Sequence, residues 1–131
     1  MESANAPRPV STAEAPAAIG PYSQGVVAGG FLFVSGQLPL DPDTGEPVAG
    51  GIEERADRCL KNLAAVARAA GTDLSRAVKL TVFLTDLQHF ARVNEVYARH
   101  FANGPPPARS AVQVAALPRG ADIEIEAVIE R

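Results

Sequence analysis

Two side chains near the C-terminal end of the sequence have the types and the spacing to act on a small anion. Arg109 follows the proline run Pro105-Pro-Pro-Ala, and Glu124 comes fifteen positions later, in the alternating segment Ile123-Glu-Ile-Glu-Ala-Val-Ile. An arginine can bind a carboxylate through two parallel N–H···O hydrogen bonds. A carboxylate can hold or deprotonate a water molecule. Together these residues suggest a small enzyme that adds water to a small anionic molecule.

Both residues also have an ordinary structural interpretation. An arginine at the start of a strand is commonly a surface residue. Glu124 and Glu126 share one side of their segment, opposite Ile123 and Ile125, which is typical of the solvated face of a half-buried strand. The segments taken singly therefore leave the functional and the structural interpretation open.

Four further residues are weaker candidates. Tyr22 and Ser35 supply hydroxyl groups, and Gly36 is a position where a ligand could approach the backbone closely. Asn94 falls on the apolar stripe of a predicted helix, where a lone amide is commonly a hydrogen-bonded core or interface residue. None of the four identifies a chemistry by itself.

The sequence predicts no metal site and no cofactor. His89 and His100 are eleven residues apart on one predicted helix, about 16 Å along its axis, which is too far for two ligands of one metal. Both are expected to be solvated. Cys59 lies on a buried helical stripe, where a thiol is usually inert packing. Phosphate-binding loops, dinucleotide-binding turns and nucleophile elbows are absent from the sequence.

The composition predicts one globular domain. The 131 residues are 47% hydrophobic and 21% charged with a formal charge of −3, and the arginines are scattered rather than clustered, which argues against a nucleic-acid surface. The longest apolar runs are too short for a membrane span. The start of the chain, rich in Ala and Pro, lacks the apolar stretch of a secretory signal, so we expect a cytoplasmic protein. Residues 1–15 are predicted to be a mobile segment and residues 16–131 a single domain.

The spacing of apolar residues predicts the helices and strands that must position these candidate residues. Strands are predicted over 23–28 and 31–38, joined by a Gly-Gly hairpin turn, and over 77–84, 110–114 and 123–129. Helices are predicted over 52–70 and over 86–101, the second capped by Asp86. This order predicts an α+β fold, a mostly antiparallel sheet with two helices on one face.

Apolar residues occupy both faces of two predicted strands. In Phe31-Leu-Phe-Val-Ser-Gly-Gln and in Leu80-Thr-Val-Phe-Leu they fall at odd and even positions alike. A sheet with one wet face should alternate cleanly. Because two helices cover only one face, we expect a second copy of the chain to cover the other, and binding sites commonly lie where subunits meet.

The chain resembles the RidA (YjgF-type) family of enamine/imine deaminases over nearly all of its folded part. The resemblance is carried by the motifs Ala17-Ala-Ile-Gly-Pro-Tyr-Ser-Gln-Gly, Val34-Ser-Gly-Gln, Thr81-Val-Phe-Leu-Thr-Asp, Val93-Asn with Tyr97, Pro107-Ala-Arg-Ser and Ile123-Glu-Ile-Glu-Ala. It implies a chorismate-mutase-like α+β fold and a homotrimer with clefts between subunits. It also implies cofactor-independent hydrolysis of reactive 2-imino and 2-amino-2-enoic acids, made by pyridoxal-dependent dehydratases, to 2-oxo acids and ammonia.

The resemblance also implies roles for individual residues. Arg109 matches the arginine that binds the substrate carboxylate, and Glu124 matches the carboxylate that holds the water. The hydroxyls of Tyr22 and Ser35, with Gly36 beside them, match the lining of the cleft, and Asn94 matches a pocket asparagine. Ala111 departs from the pattern, because many relatives carry Cys there. This removes a thiol but keeps the backbone carbonyl, and it leaves the substrate preference open.

Two other functions remain as alternatives. One is a regulatory trimer that binds 2-oxo acids without turnover. The other is an endoribonuclease, an activity ascribed to some relatives. RNA cleavage usually needs a His or Lys acid–base pair near the phosphate, and both histidines are expected on an exposed helix face, so this alternative fits less well.

Overall fold

The computed structural model describes residues 6–131 and contains a six-stranded sheet with two helices packed on one face. The elements are β1 Arg8–Val10, β2 Gly25–Ala28, β3 Phe31–Gln37, α1 Ile52–Ala69, β4 Ala77–Leu84, α2 Phe90–His100, β5 Ala108–Gln113 and β6 Ile123–Glu130. The strand order is β1-β2-β3-β6-β4-β5, and every neighbouring pair is antiparallel except β4 and β5. The predicted α+β class and the mostly antiparallel sheet are confirmed.

The core lies between α1 and the sheet, where the helical and the strand periodicities meet. The α1 stripe predicted from the sequence is buried, and the alternating side chains Leu32, Leu80, Ile125 and Ile129 are buried beneath it. Each large apolar side chain contributes about 1.5–3 kcal/mol when fully removed from water. Cys59 is fully buried in this layer, as expected, and burial raises the pKa of its thiol well above the ordinary value.

The N-terminal segment contains a strand that the sequence did not predict, and the mobility expected for residues 1–15 stays a prediction. Residues 8–10 form β1, which pairs antiparallel with β2, and Ala15 is buried in the core. The buried side chain of Gln24 donates to the carbonyls of Ala15 and Pro16 and accepts from the backbone N–H of Thr12. These long-range bonds fix a stretch whose own sequence has no readable period. The part of the prediction that concerns residues 1–5 lies outside the described residues.

Two of the boundaries that differ from the sequence prediction lie beside the candidate residues. Asp86 caps a 3₁₀ turn, Leu87–His89, rather than α2 itself, which begins at Phe90. Strand β5 begins two residues early, at Ala108, because it pairs with β4 from Lys79 onward. This pairing places Arg109 inside the strand rather than ahead of it.

The face of the sheet away from the helices carries exposed apolar side chains. Phe31 and Phe33 alternate with buried Leu32, and Phe33 is 47% exposed. Val112 of β5, which lies beside Phe83 of β4, is 40% exposed. We call this surface the open face. Its cover by a second copy of the chain remains a prediction.

Candidate functional site

A β-bulge in β3 shapes the neighbourhood of Glu124. The register runs from Val34 opposite Ala127 to Gln37 opposite Ile125, so that Ser35 and Gly36 together oppose one residue of β6. The extra residue explains why Val34 and Gln37 are both buried although they are three positions apart. Bulges of this kind commonly redirect side chains next to functional sites. Here the bulge places Ser35 and Gly36 beside the acidic side chains of β6.

The Glu124 carboxyl group lies directly over Gly36. A Cβ atom at position 36 would come within 2.7 Å of the Glu124 Cδ atom and 2.8 Å of its Oε2 atom. A side chain at position 36 would therefore force the Glu124 carboxyl group to move. Burial raises the pKa of Glu124, and the charge of nearby Glu126 raises it further. A carboxylate with a raised pKa binds a proton more readily than an ordinary glutamate, which suits a group that accepts and returns one.

A cavity of about 620 Å³ opens over this carboxyl group, and we call it the carboxylate cavity. Its lining includes the following residues: Tyr22, Ser35, Gly36, Arg119, Glu124 and Glu126. The Ser35 hydroxyl donates a 2.6 Å hydrogen bond to the Ser23 carbonyl, so its oxygen can still accept a hydrogen bond from a ligand. Four of the residues identified from the sequence, Tyr22, Ser35, Gly36 and Glu124, therefore meet in one place.

We expect Gly36→Ala to lower kcat/KM for the proposed reaction by at least about tenfold, because the methyl group must displace the carboxyl group of Glu124. Steady-state kinetics with the natural protein alongside would measure the loss. Gly104→Ala is the matched control, since a Cβ at position 104 would meet no atom within 4 Å. Unchanged kinetics in Gly36→Ala would show that the position of this carboxyl group is unimportant.

Arg109 lies in a second group of residues, which we call the arginine cluster: Arg109, Phe90, Asn94 and Tyr97. The Arg109 Nη1 atom donates a 2.6 Å hydrogen bond to Asn94 Oδ1. The Cζ atom of the guanidinium lies 5.0 Å from the centre of the Phe90 ring and 4.7 Å from that of Tyr97. Except for Phe90, the cluster lines an open cavity together with Pro106 and Pro107, so a ligand can reach Arg109.

Arg109 and Glu124 do not meet within one chain. Arg109 lies beside Leu80 in the parallel β4–β5 pair and contacts α2, which places it on the helix side of the sheet. Glu124 pairs with Phe83 and projects to the other side, between the buried Ile123 and Ile125. Strand β4 separates the two, and neighbouring strands are about 4.8 Å apart. Within one chain the two side chains therefore cannot reach the same ligand, and a site that uses both would have to lie between subunits, as expected from the sequence.

The other two residues identified from the sequence lie with Arg109. Asn94 is part of the arginine cluster, although its carbonyl oxygen binds Arg109 and only its NH₂ group is left to donate to a ligand. Ala111 is half-buried, packs against the core and lies beside Val82. The residues identified from the sequence thus fall into two groups of different composition, one acidic and one basic.

Sequence reasoning missed two buried amides that position the carboxylate cavity. Gln24 ties Pro16 to the rim of the cavity through the bonds described above. Asn62 of α1 donates to the carbonyls of Leu38 and Leu40, two further residues of the cavity lining. Gln24 lies within a motif quoted for the family resemblance, but Asn62 interrupts an apolar stripe with no sign of its role.

The histidines lie elsewhere and differ from expectation. Both are half-buried rather than solvated: His89 lies beside Arg92, and the Nε2 atom of His100 lies 2.7 Å from Asp57 Oδ1 in α1. Across residues 6–131, no group of three acidic, histidine or cysteine side chains is placed to hold a metal ion. None of the helices in this part of the chain is long and apolar enough to cross a lipid bilayer.

Comparison with known proteins gives consistent matches over nearly the whole chain. The family model described as Endoribonuclease L-PSP matches residues 12–131. The chain is 60% identical over 121 residues to the RutC family protein y4sK of Sinorhizobium fredii, covering 92% of this chain and 95% of that protein. It is 52% identical over 119 residues to a Mus musculus protein named 2-iminobutanoate/2-iminopropanoate deaminase, covering 91% and 87%. The crystal structure of E. coli TdcF with bound serine is 45% identical with a TM-score of 0.91, covering 95% and 98%.

Proposed function

Since the chain belongs to the RidA (YjgF-type) family, whose model is described as Endoribonuclease L-PSP, we propose that it hydrolyses small 2-imino and 2-amino-2-enoic acids to 2-oxo acids and ammonia. One observation carries the proposal beyond family membership. The chain has an accessible arginine, Arg109, that is hydrogen-bonded to Asn94. On the other side of the sheet it has a carboxyl group of raised pKa, Glu124, in a cavity. These are the two groups that hydration of a carboxylate-bearing imine needs.

The arginine cluster supplies the binding step. With Nη1 bonded to Asn94, the remaining N–H groups of Arg109 can donate to a substrate carboxylate. Binding by the carboxylate fixes the position of the adjacent C2 atom, and orientation of this kind removes several kcal/mol from a barrier. A small acid bound in this way exposes its C=N bond for attack.

Glu124 supplies the proton transfers. A water molecule adds to C2 while one of its protons passes to the Glu124 carboxylate; the electron pair of the C=N bond moves to nitrogen, and Glu124 delivers the proton to that nitrogen. The resulting carbinolamine loses ammonia as the C–N bond breaks and the C=O bond forms. The raised pKa of Glu124 helps it to return the proton that it accepted. The methyl group of Ala111 leaves this sequence of steps unchanged and affects the room available to the substrate side chain.

We further propose that three copies of the chain assemble so that the arginine cluster of one meets the carboxylate cavity of the next. Two observations support this. The arginine cluster and the carboxylate cavity lie on opposite sides of the sheet in one chain, so a single subunit cannot bring both to one substrate. The open face, with Phe31 and Phe33, is the side to which Glu124 projects. Repeating one contact between these two unlike surfaces closes a ring of three, in which both surfaces of every copy are covered by a neighbour.

The assembly predicts that two impaired variants complement each other. We expect Arg109→Ala and Glu124→Gln each to lose about a hundredfold or more of natural activity as purified proteins. Unfolding and refolding them together at equal concentration should restore about a quarter of natural activity, because random mixing gives that share of interfaces both intact groups. Light scattering should report about 41 kDa, three times the 13.6 kDa chain. A monomer, or a mixture that recovers no activity after verified exchange, would contradict a shared site.

The direct assay couples the purified protein to a pyridoxal-dependent dehydratase acting on serine or threonine. We expect 2-oxo acid to form faster than by spontaneous hydrolysis of the imine. The alternative is a trimer that binds 2-oxo acids without turnover, which is kept open because some relatives, such as y4sK, carry names without this activity. Saturable binding of 2-oxobutanoate with no acceleration would favour that alternative.

Cleavage of RNA is less well supported. His100 is engaged with Asp57, and His89 lies beside Arg92, and neither histidine lines the carboxylate cavity. The acid–base pair that RNA cleavage usually needs is therefore not assembled among the described residues of one chain.

A further inference from the structure

The Arg109 side chain combines exposure with an unusual number of orienting contacts. An exposed arginine normally samples many rotamers, and about 2 kcal/mol of rotamer entropy opposes its binding to a ligand. Here the guanidinium lies over two aromatic rings and is hydrogen-bonded to a third side chain, while its outer edge stays accessible. All three supporting residues belong to α2.

Their spacing explains why one short helix can do this. Phe90, Asn94 and Tyr97 stand at positions i, i+4 and i+7, which fall on one stripe of a helix. The stripe faces Arg109, because the guanidinium lies over the rings of Phe90 and Tyr97 and is hydrogen-bonded to Asn94. Both distances from the Cζ atom to a ring centre are within the 6 Å at which a cation is attracted to an aromatic face.

We propose that Phe90 and Tyr97 are positioning residues that hold the Arg109 guanidinium in its binding orientation before a carboxylate arrives. This inference rests on the proposed function in so far as Arg109 binds the substrate. The two rings restrict the plane of the guanidinium, and Asn94 fixes its rotation in that plane. The entropy lost when a carboxylate binds is then already lost in the free protein, which strengthens binding without a new contact.

The tyrosine at position 97 supports a role for the ring itself. Tyr97 is 5% exposed, and its hydroxyl oxygen has no hydrogen-bond partner among the described residues. Burial raises the pKa of this hydroxyl, with a smaller opposing effect of the Arg109 charge, so the group stays neutral. The contacts of Tyr97 are made by its ring, which lies under the Arg109 guanidinium and has its centre 4.7 Å from that of the Phe101 ring.

Phe90→Leu tests the inference, because leucine keeps apolar bulk but has no aromatic face. We expect KM for the imine to rise about tenfold with kcat changed by less than about threefold. In an Arg109→Ala background, Phe90→Leu should change kcat/KM by less than about twofold, since the group that it orients is gone. An equal loss in both backgrounds would identify a merely structural residue and overturn the proposal.

Tyr97→Leu makes the same test at the second ring, because leucine keeps apolar bulk but has no aromatic face. We expect KM to rise about tenfold with kcat changed by less than about threefold. An unchanged KM would overturn the role of the Tyr97 ring.

A measurement of side-chain motion separates this inference from the proposed function. The order parameter of the Arg109 Nε–H group, from ¹⁵N relaxation, should be high in the natural protein and fall below about 0.6 in Phe90→Leu. It does not depend on turnover. An inactive natural protein would refute the proposed deaminase and leave this result standing, whereas an active protein whose Arg109 stays equally ordered in Phe90→Leu would refute the positioning role alone.

Discussion

Arg109→Lys is expected to lower kcat/KM by about a hundredfold or more, about 3 kcal/mol, and to be nearly as damaging as Arg109→Ala. An ammonium group can donate to a carboxylate but cannot offer two parallel N–H groups in one plane. It also cannot keep the geometry in which Nη1 binds Asn94 while the rest of the guanidinium faces outward. Steady-state kinetics on the dehydratase-coupled assay would measure both variants.

The control for this prediction is an arginine that is exposed but has no orienting contacts. Arg68 of α1 has a side chain that is 59% exposed, and its only ion pair among the described residues is a loose one, 3.9 Å from Glu14. We expect Arg68→Lys to retain natural kinetics. If Arg109→Lys also stays within a factor of three of natural kcat/KM, a bidentate clamp at position 109 is no part of the mechanism.

Glu124→Gln is expected to reduce kcat by at least about a hundredfold while binding of 2-oxo acids is largely kept. The amide can hold a water molecule but cannot take its proton. In the natural protein kcat/KM should fall as the pH drops through the pKa of Glu124, because only the ionised carboxylate accepts a proton. Since burial and Glu126 raise this pKa, the fall should begin at a higher pH than for an ordinary glutamate. Initial rates and calorimetric binding across pH would measure these effects.

Glu126→Gln is the matched control, two residues along on the same side of β6. Its side chain is exposed, whereas that of Glu124 is half-buried under the cavity. We expect activity to be kept. The fall of kcat/KM at acidic pH should move to lower pH, because the removed charge had raised the pKa of Glu124. If Glu126 proves essential and Glu124 dispensable, the proton acceptor is Glu126 and not Glu124.

The sequence predicted those elements whose apolar residues form a clear local pattern. The apolar stripe from Ile52 predicted α1 to within one residue at its end, and Ala77–Leu84 was predicted at both bounds. Strand β1 was missed because three residues that include Pro9 have no period to read. Its place at the sheet edge depends on pairing with β2 and on Gln24, which lies more than ten positions later.

For the candidate site, too, the sequence predicted one part and left another to the tertiary structure. Side-chain chemistry and motif resemblance were enough to select Arg109, Glu124, Tyr22, Ser35 and Asn94, since a clamp for a carboxylate and a proton acceptor can be recognised by type. Their roles remain predictions. The Gly36 position was selected for close backbone approach, and the structure gives a more specific reason, the carboxyl group of Glu124 above it.

By itself the sequence determined the fold class, the family and the kinds of side chain available for chemistry, because these depend on local periodicity and residue type. Only the tertiary structure decided that Arg109 and Glu124 lie on opposite sides of the sheet. A shift of one residue in strand register reverses the direction of every side chain in that strand. Register, like the bulge at Ser35 and Gly36, is set by pairing between strands far apart in the sequence, and no local pattern encodes it.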